Sequence, residues 1–185
     1  MKIKELTLIP ILGTIIFLTS LIKIPSIFQG AEFQMSAPIS VLISMTFGPK
    51  IYILAGLIGS FLSFFTGISN IYGIIVALVF RIGVLVFILL IKNKNFCLLF
   101  ASSFGTSLSR IVLSKLLGLP LISLLIPALS GMIISGVLAK LFYEKIYGRL
   151  LTYNILEERI WSIVLRWEHL KIIIKRTYIL VGLKV

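Results

Sequence analysis

The sequence predicts an all-α polytopic membrane protein with six transmembrane helices and both termini cytoplasmic. Three observations carry that prediction. First, 59% of the 185 residues are hydrophobic and only 13% charged, whereas soluble domains keep roughly a quarter of their residues charged. With a mean hydropathy of +1.15, a disordered chain, a coiled coil and an ordinary soluble enzyme are excluded. Second, the apolar residues fall into six runs over the first 147 residues, which suits a hydrocarbon core that needs about 20 apolar residues per helical crossing. Third, the basic residues sit at the ends of those runs, not on a solvated face. The net charge of +12 therefore reads as positively charged loops facing the cytoplasm, and not as a nucleic-acid surface.

The first run, Leu6 to Ile22, follows Lys2 and Lys4. A secretory signal peptide shares that pattern, but no small-residue cleavage site follows and more apolar runs do. The second run, Phe33 to Phe47, ends at the helix-breaking Gly48-Pro49-Lys50. The third, Ile51 to Thr66, stops at Gly67-Ile68-Ser69-Asn70. The fourth spans Ile71 to Ile91, the fifth Phe96 to Leu117 and the sixth Leu121 to Tyr143. With the N-terminus inside, the cytoplasmic side carries Lys2, Lys4, Lys50, Lys92, Lys94, Lys140, Lys145 and Arg149, against Lys23 and Lys115 outside. That asymmetry fixes the expected orientation. Residues 1–147 form the expected membrane domain, and 148–185 a basic cytoplasmic tail. In the tail, Leu156, Ile160 and Val164 recur at helical spacing beside Trp161 and Trp167. Two readings stay open for it: an amphipathic helix on the inner leaflet, or a tail without a specific role.

Small residues spaced by four mark faces where helices approach closely in lipid. The third helix has Ala55, Gly59, Ser63 and Gly67; the sixth has Ser123, Pro127, Gly131, Ser135 and Ala139. The fourth has Gly73 and Ala77, with Arg81 next on the stripe, and the fifth has Ser102, Thr106, Arg110, Ser114 and Gly118. At 1.5 Å per residue, Arg81 lies roughly 15 Å and Arg110 roughly 12 Å below the outer helix ends. A charge at that depth faces the bundle or a wet cavity. No helix interior supplies an acid; the nearest is Glu32, before the second helix. Either Glu32 reaches down, or an anionic ligand supplies the missing charge, or helix-end carbonyls hold the arginines. Lys115 is near enough to the outer surface to snorkel. The loop from Lys23 to Glu32, with Phe28 and Gln29, is a candidate lid above this cavity or a plain connector.

Enzymatic chemistry finds no support. The chain has no Asp, one His (His169) and one Cys (Cys97), so a Ser-His-Asp triad, a zinc cluster and an intramolecular disulfide are unavailable. There is no G-x-x-x-x-G-K-[ST] phosphate loop for ATP hydrolysis. No catalytic residue, cofactor or metal is expected, which leaves binding or passage.

The run Lys23-Ile24-Pro25, a short loop, Phe33-Gln34-Met35-Ser36-Ala37-Pro38, Phe47-Gly48-Pro49-Lys50 and Ala55-Gly56-Leu57-Ile58-Gly59-Ser60 resembles the substrate-binding S component of energy-coupling-factor (ECF) vitamin transporters. The likeness extends over about residues 6 to 147. It implies a membrane-embedded binding protein for a small vitamin or related metabolite, working with a T component and two ATPase subunits. It also implies a pocket built from the first loop and the outer halves of the fourth to sixth helices. In this sequence those segments offer Phe28, Gln29, Glu32, Gln34, Asn70, Tyr72, Arg81, Thr106, Arg110, Ser114 and Lys115. The family's first helix carries an Ala-x-x-x-Ala contact for the T component; here the matching face offers Gly13, Thr14 and Phe17. Two other functions remain open: an accessory membrane scaffold for a partner enzyme, and a self-contained small channel or carrier.

Overall fold

The computed structural model describes residues 3–25, 32–91 and 93–152. The described residues form six helices and one short hairpin. In chain order these are α1 (Ile3–Leu21), β1 (Lys23–Pro25), β2 (Glu32–Gln34), α2 (Ser36–Phe47), α3 (Pro49–Phe65), α4 (Ile71–Leu90), α5 (Lys94–Leu117) and α6 (Leu121–Thr152). Residues up to Lys145 make one compact unit; of the second, from Ile146 on, the described residues are the end of α6. Phe28, Gln29 and tail residues 153–185 lie outside the described residues.

Each helix end has a local cause. Gly48 takes φ 83°, a left-handed value open to glycine, and Pro49 then starts α3 at its first position, where a missing N–H costs nothing. Asn70 caps α4 by accepting from Gly73 N at 2.8 Å, and Asn93 caps α5 through Asn95 N and Phe96 N. Gly118, at φ 67°, closes α5.

Among the described residues the interior mixes small polar side chains with apolar ones such as Val41, Ile43, Tyr52, Val84 and Leu98, and large apolar side chains also cover the outside. Ser40, Ser44, Thr46, Ser60, Ser102, Ser109, Ser135 and Arg81 are buried, whereas Phe65 is 79% and Leu90 75% exposed. An apolar exterior with hydroxyls between the helices suits a lipid surround. α4, α5 and the Leu121–Ile146 part of α6 are each long and apolar enough to cross a membrane. α2, with 12 residues, reaches only about 18 Å and is mostly buried among its neighbours. α1 packs along α3 where Gly13 meets Ile58 and Ala55, and where Gly59 meets Ile16. α4 and α5 cross closest at Gly83 and Gly105. α6 joins α5 through the Ser102–Ser135 hydroxyl pair at 2.6 Å.

Three details depart from the sequence reading. A hairpin forms between α1 and α2, with β1 and β2 antiparallel and Lys23, Ile24 and Pro25 opposite Gln34, Phe33 and Glu32. Phe33 therefore belongs to a strand, and α2 starts at Ser36. α6 runs past Tyr143 to Thr152, because nothing in Glu144-Lys145-Ile146 breaks a helix and Lys140 pairs with Glu144 at 4.0 Å one turn on.

Candidate functional site

A cavity of about 740 Å³ opens at the end of the bundle that carries the hairpin and the α3–α4 and α5–α6 turns. That volume is in the range of small-molecule sites. The fold makes it by aiming three stripes inward: Gly73, Ala77 and Arg81 from α4, Thr106 and Arg110 from α5, and Ser123, Pro127, Gly131 and Ser135 from α6. Small residues on the stripes leave room where larger ones would meet across the bundle. Phe33, Phe80, Leu113 and Met132 add apolar walls. Phe33 seats the hairpin against α6, since a Cβ at Gly131 would stand 3.0 Å from its ring.

The cavity is cationic. Arg81 and Arg110 both line it, and none of the described lining residues is acidic. Arg81 is 7% exposed and donates from Nη1 to Ser60 Oγ on α3 at 2.7 Å. Arg110 is half-buried, and its buried Nε has no partner among the described residues. The Nε of Arg81 is likewise buried without a partner there. Two guanidiniums offer ten N–H donors in fixed planar forks, and the described residues engage one of them. Such a site suits a small solute that brings carboxylate or phosphate oxygens to the polar groups and an apolar body to the walls.

Of the sequence-selected residues, the structure brings Gln34, Asn70, Tyr72, Arg81, Thr106 and Arg110 to this cavity. Their hydrogen-bonding freedom differs. Asn70 Oδ1 is occupied by the α4 cap, and Thr106 gives its hydroxyl hydrogen to Ser102 O at 2.8 Å. Ser114 and Lys115 are not among the lining residues; Ser114 donates to Leu119 O at 2.6 Å and fastens the α5–α6 turn, and Lys115 is exposed in the last turn of α5. Glu32 is placed on β2, opposite Pro25. On α1, Gly13 is buried against α3, Thr14 is exposed with its hydroxyl given to Pro10 O, and Phe17 is half-buried. The α1–α3 contact takes up Gly13, so Thr14 carries the accessible part of that trio. Sequence reasoning missed Ser60 and the walls Phe33 and Phe80. Ser60 had one signal, its place two turns after Tyr52 and one after Gly56 on a single face of α3.

The chain is 38% identical over 133 residues to Protein BioX of Lysinibacillus sphaericus, a match over 72% of this chain and 80% of that protein. Its structure matches that of the S component of a bacterial ECF transporter with a TM-score of 0.63, covering 84% of this chain and 99% of that one at 24% identity. That likeness establishes the fold. No protein-family model matches the chain.

Proposed function

We propose, from the premise that this chain belongs to the BioX family and is a multi-pass cell-membrane protein with the S-component fold, that it captures a small anionic, vitamin-like solute from outside. In this reading it is the substrate-binding subunit of an ECF-type importer. All six helices cross or enter the bilayer, both termini are cytoplasmic, and the cavity faces out. A T component and two ATPase subunits supply the energy, as the sequence resemblance implies, because the chain carries no phosphate-binding loop of its own. Arg110 is the principal anion contact, with Gln34, Tyr72 and Arg81 completing the polar surface; Phe28 and Gln29, candidates from the sequence, lie outside the described residues.

The single observation that carries this reading is a cavity that holds two arginines and no acid among its described lining residues. Burying cations without a counter-charge in a low-dielectric interior is costly, and an anionic solute offsets that cost. The test is mass spectrometry of small molecules retained by the detergent-purified chain. A stoichiometric organic anion, lost from Arg110→Ala, is the expected result. Retention of a neutral or cationic solute by both proteins would remove the anion assignment.

A further inference from the structure

The two arginines of the cavity are held differently. Arg81 leaves α4 and lies across α3 at Gly56. A Cβ built on Gly56 would collide with Arg81 Nε and stand 2.6 Å from Cδ and 3.0 Å from Cζ. The guanidinium thus occupies the space that any other residue at 56 would fill. One turn further along α3, Ser60 Oγ accepts from Nη1 at 2.7 Å. One turn back on the same face, Tyr52 is fully buried. Tyr52, Gly56 and Ser60 are successive turns of one helix face, and they form a shallow seat for a side chain arriving from the neighbouring helix. Arg110 has no such seat and no hydrogen-bond partner among the described residues.

We propose that Gly56 and Ser60 are positioning residues for a fixed anion contact at Arg81: they hold the guanidinium against α3 with its unengaged N–H edge turned to the solute. This rests on the anionic-solute reading of the cavity and deepens it. A long cationic side chain normally loses much rotamer freedom when it engages a ligand. A seat that removes this freedom beforehand makes the contact stronger and directional. Arg81 then sets where the anionic group rests, while Arg110 closes on it from α5. Lysine at 81 cannot fill this role, because the two N–H donors an ammonium keeps after bonding Ser60 are not held in a fixed planar fork.

The test uses the full chain in detergent, labelled with ¹⁵N-arginine, with the guanidinium signals assigned through Arg81→Lys and Arg110→Lys. In the unaltered protein Arg81 is expected to give separate Nη resonances, the signature of hindered rotation, and Arg110 an averaged one. Gly56→Ala and Ser60→Ala should collapse the Arg81 pattern without moving Arg110, and Ser60→Thr, which keeps the hydroxyl, should restore it. Ser60→Ala keeps the proposal testable where Gly56→Ala fails to fold. Hexanoate and uncharged hexanamide serve as probes. Hexanoate alone should shift the Arg81 signals, with an affinity about tenfold weaker in Ser60→Ala. An unchanged Arg81 pattern in folded Ser60→Ala overturns the seat. A collapsed pattern with unchanged hexanoate affinity overturns the positioning role. A seat that behaves as expected, with hexanoate shifting neither arginine, overturns the anionic-solute reading instead.

Discussion

Arg110 and Thr106 lie one turn apart on α5 and both line the cavity, yet they differ in what they can give a solute. Thr106 has already donated its hydroxyl hydrogen to Ser102 O, so toward an anion it has no free donor. Arg110 has a buried, unpartnered Nε among the described residues and a planar fork that suits two carboxylate or phosphate oxygens. A hydrogen bond to a charged group is worth roughly 1.5–3 kcal/mol. Arg110→Ala should therefore weaken solute binding by roughly tenfold to a hundredfold, while Thr106→Val should stay near the unaltered affinity. Arg110→Lys should recover only part, since a point charge does not reproduce two parallel bonds. Titration of the co-purified solute, normalised to folded protein, checks all three; full affinity in folded Arg110→Ala would make that cation structural. Both arginines were legible in the sequence because a charge inside an apolar run stands out at once. Ser60 was not, because serine is common in such helices and the visible stripe, Ala55-Gly59-Ser63, runs one residue to its side.

Between helices, small residues decide how near two backbones come. Gly105 faces α4 so closely that a Cβ there would lie 2.8 Å from Phe80 O, a backbone atom that cannot swing away. Gly105→Ala should force α4 and α5 apart, at an overpacking cost of about 1–3 kcal/mol, and disturb the arginines these helices carry. Gly118 has φ 67° and nothing within 4 Å of where a Cβ would stand. Gly118→Ala should therefore cost only the left-handed strain of about 1–2 kcal/mol and leave binding intact. Thermal midpoints and solute titrations of the two variants separate the cases: both lose stability, but only Gly105→Ala should lose affinity. Equal affinity in both would mean that the crossing does not shape the cavity. Helix existence and the inward stripes could be read from apolar runs and spacing by four, because those follow directly from helix geometry. The hairpin could not. Its strands are three residues each, too short to display alternation, and their pairing depends on Phe33 finding the space at Gly131. The far end of α6 was hidden because the apolar run stops at Tyr143, whereas a helix outside the hydrocarbon region needs only compatible residues and pairs such as Lys140–Glu144.

At the scale of the whole molecule, charge and cavity place complementary demands on orientation. The cavity lies at the hairpin end, which carries Lys23 and Lys115, while Lys50 and Lys94 lie at the other. The positive-inside rule predicts that second end to face the cytoplasm, and under the proposed topology the cavity opens outward. Single cysteines at Ser69 and Asn93, in a Cys97→Ser background, test this with an impermeant thiol reagent on intact cells: position 69 should react and position 93 should not, and the reverse pattern would invert the topology. Given an outward cavity, capture and release need different states of the protein. A solute held by buried charged hydrogen bonds leaves slowly unless something reshapes the site, and a ligand can shift a conformational equilibrium only by its differential affinity for the two states. Accumulation against a gradient therefore needs an outside energy source, and the chain has no phosphate loop with which to use ATP. In liposomes, the chain alone should bind the solute without concentrating it, and addition of a T component and paired ATPases should confer uptake that stops when ATP is withdrawn. Accumulation by the chain alone, without ATP, would make it a self-contained carrier, and a chain that binds nothing in either setting would be a scaffold.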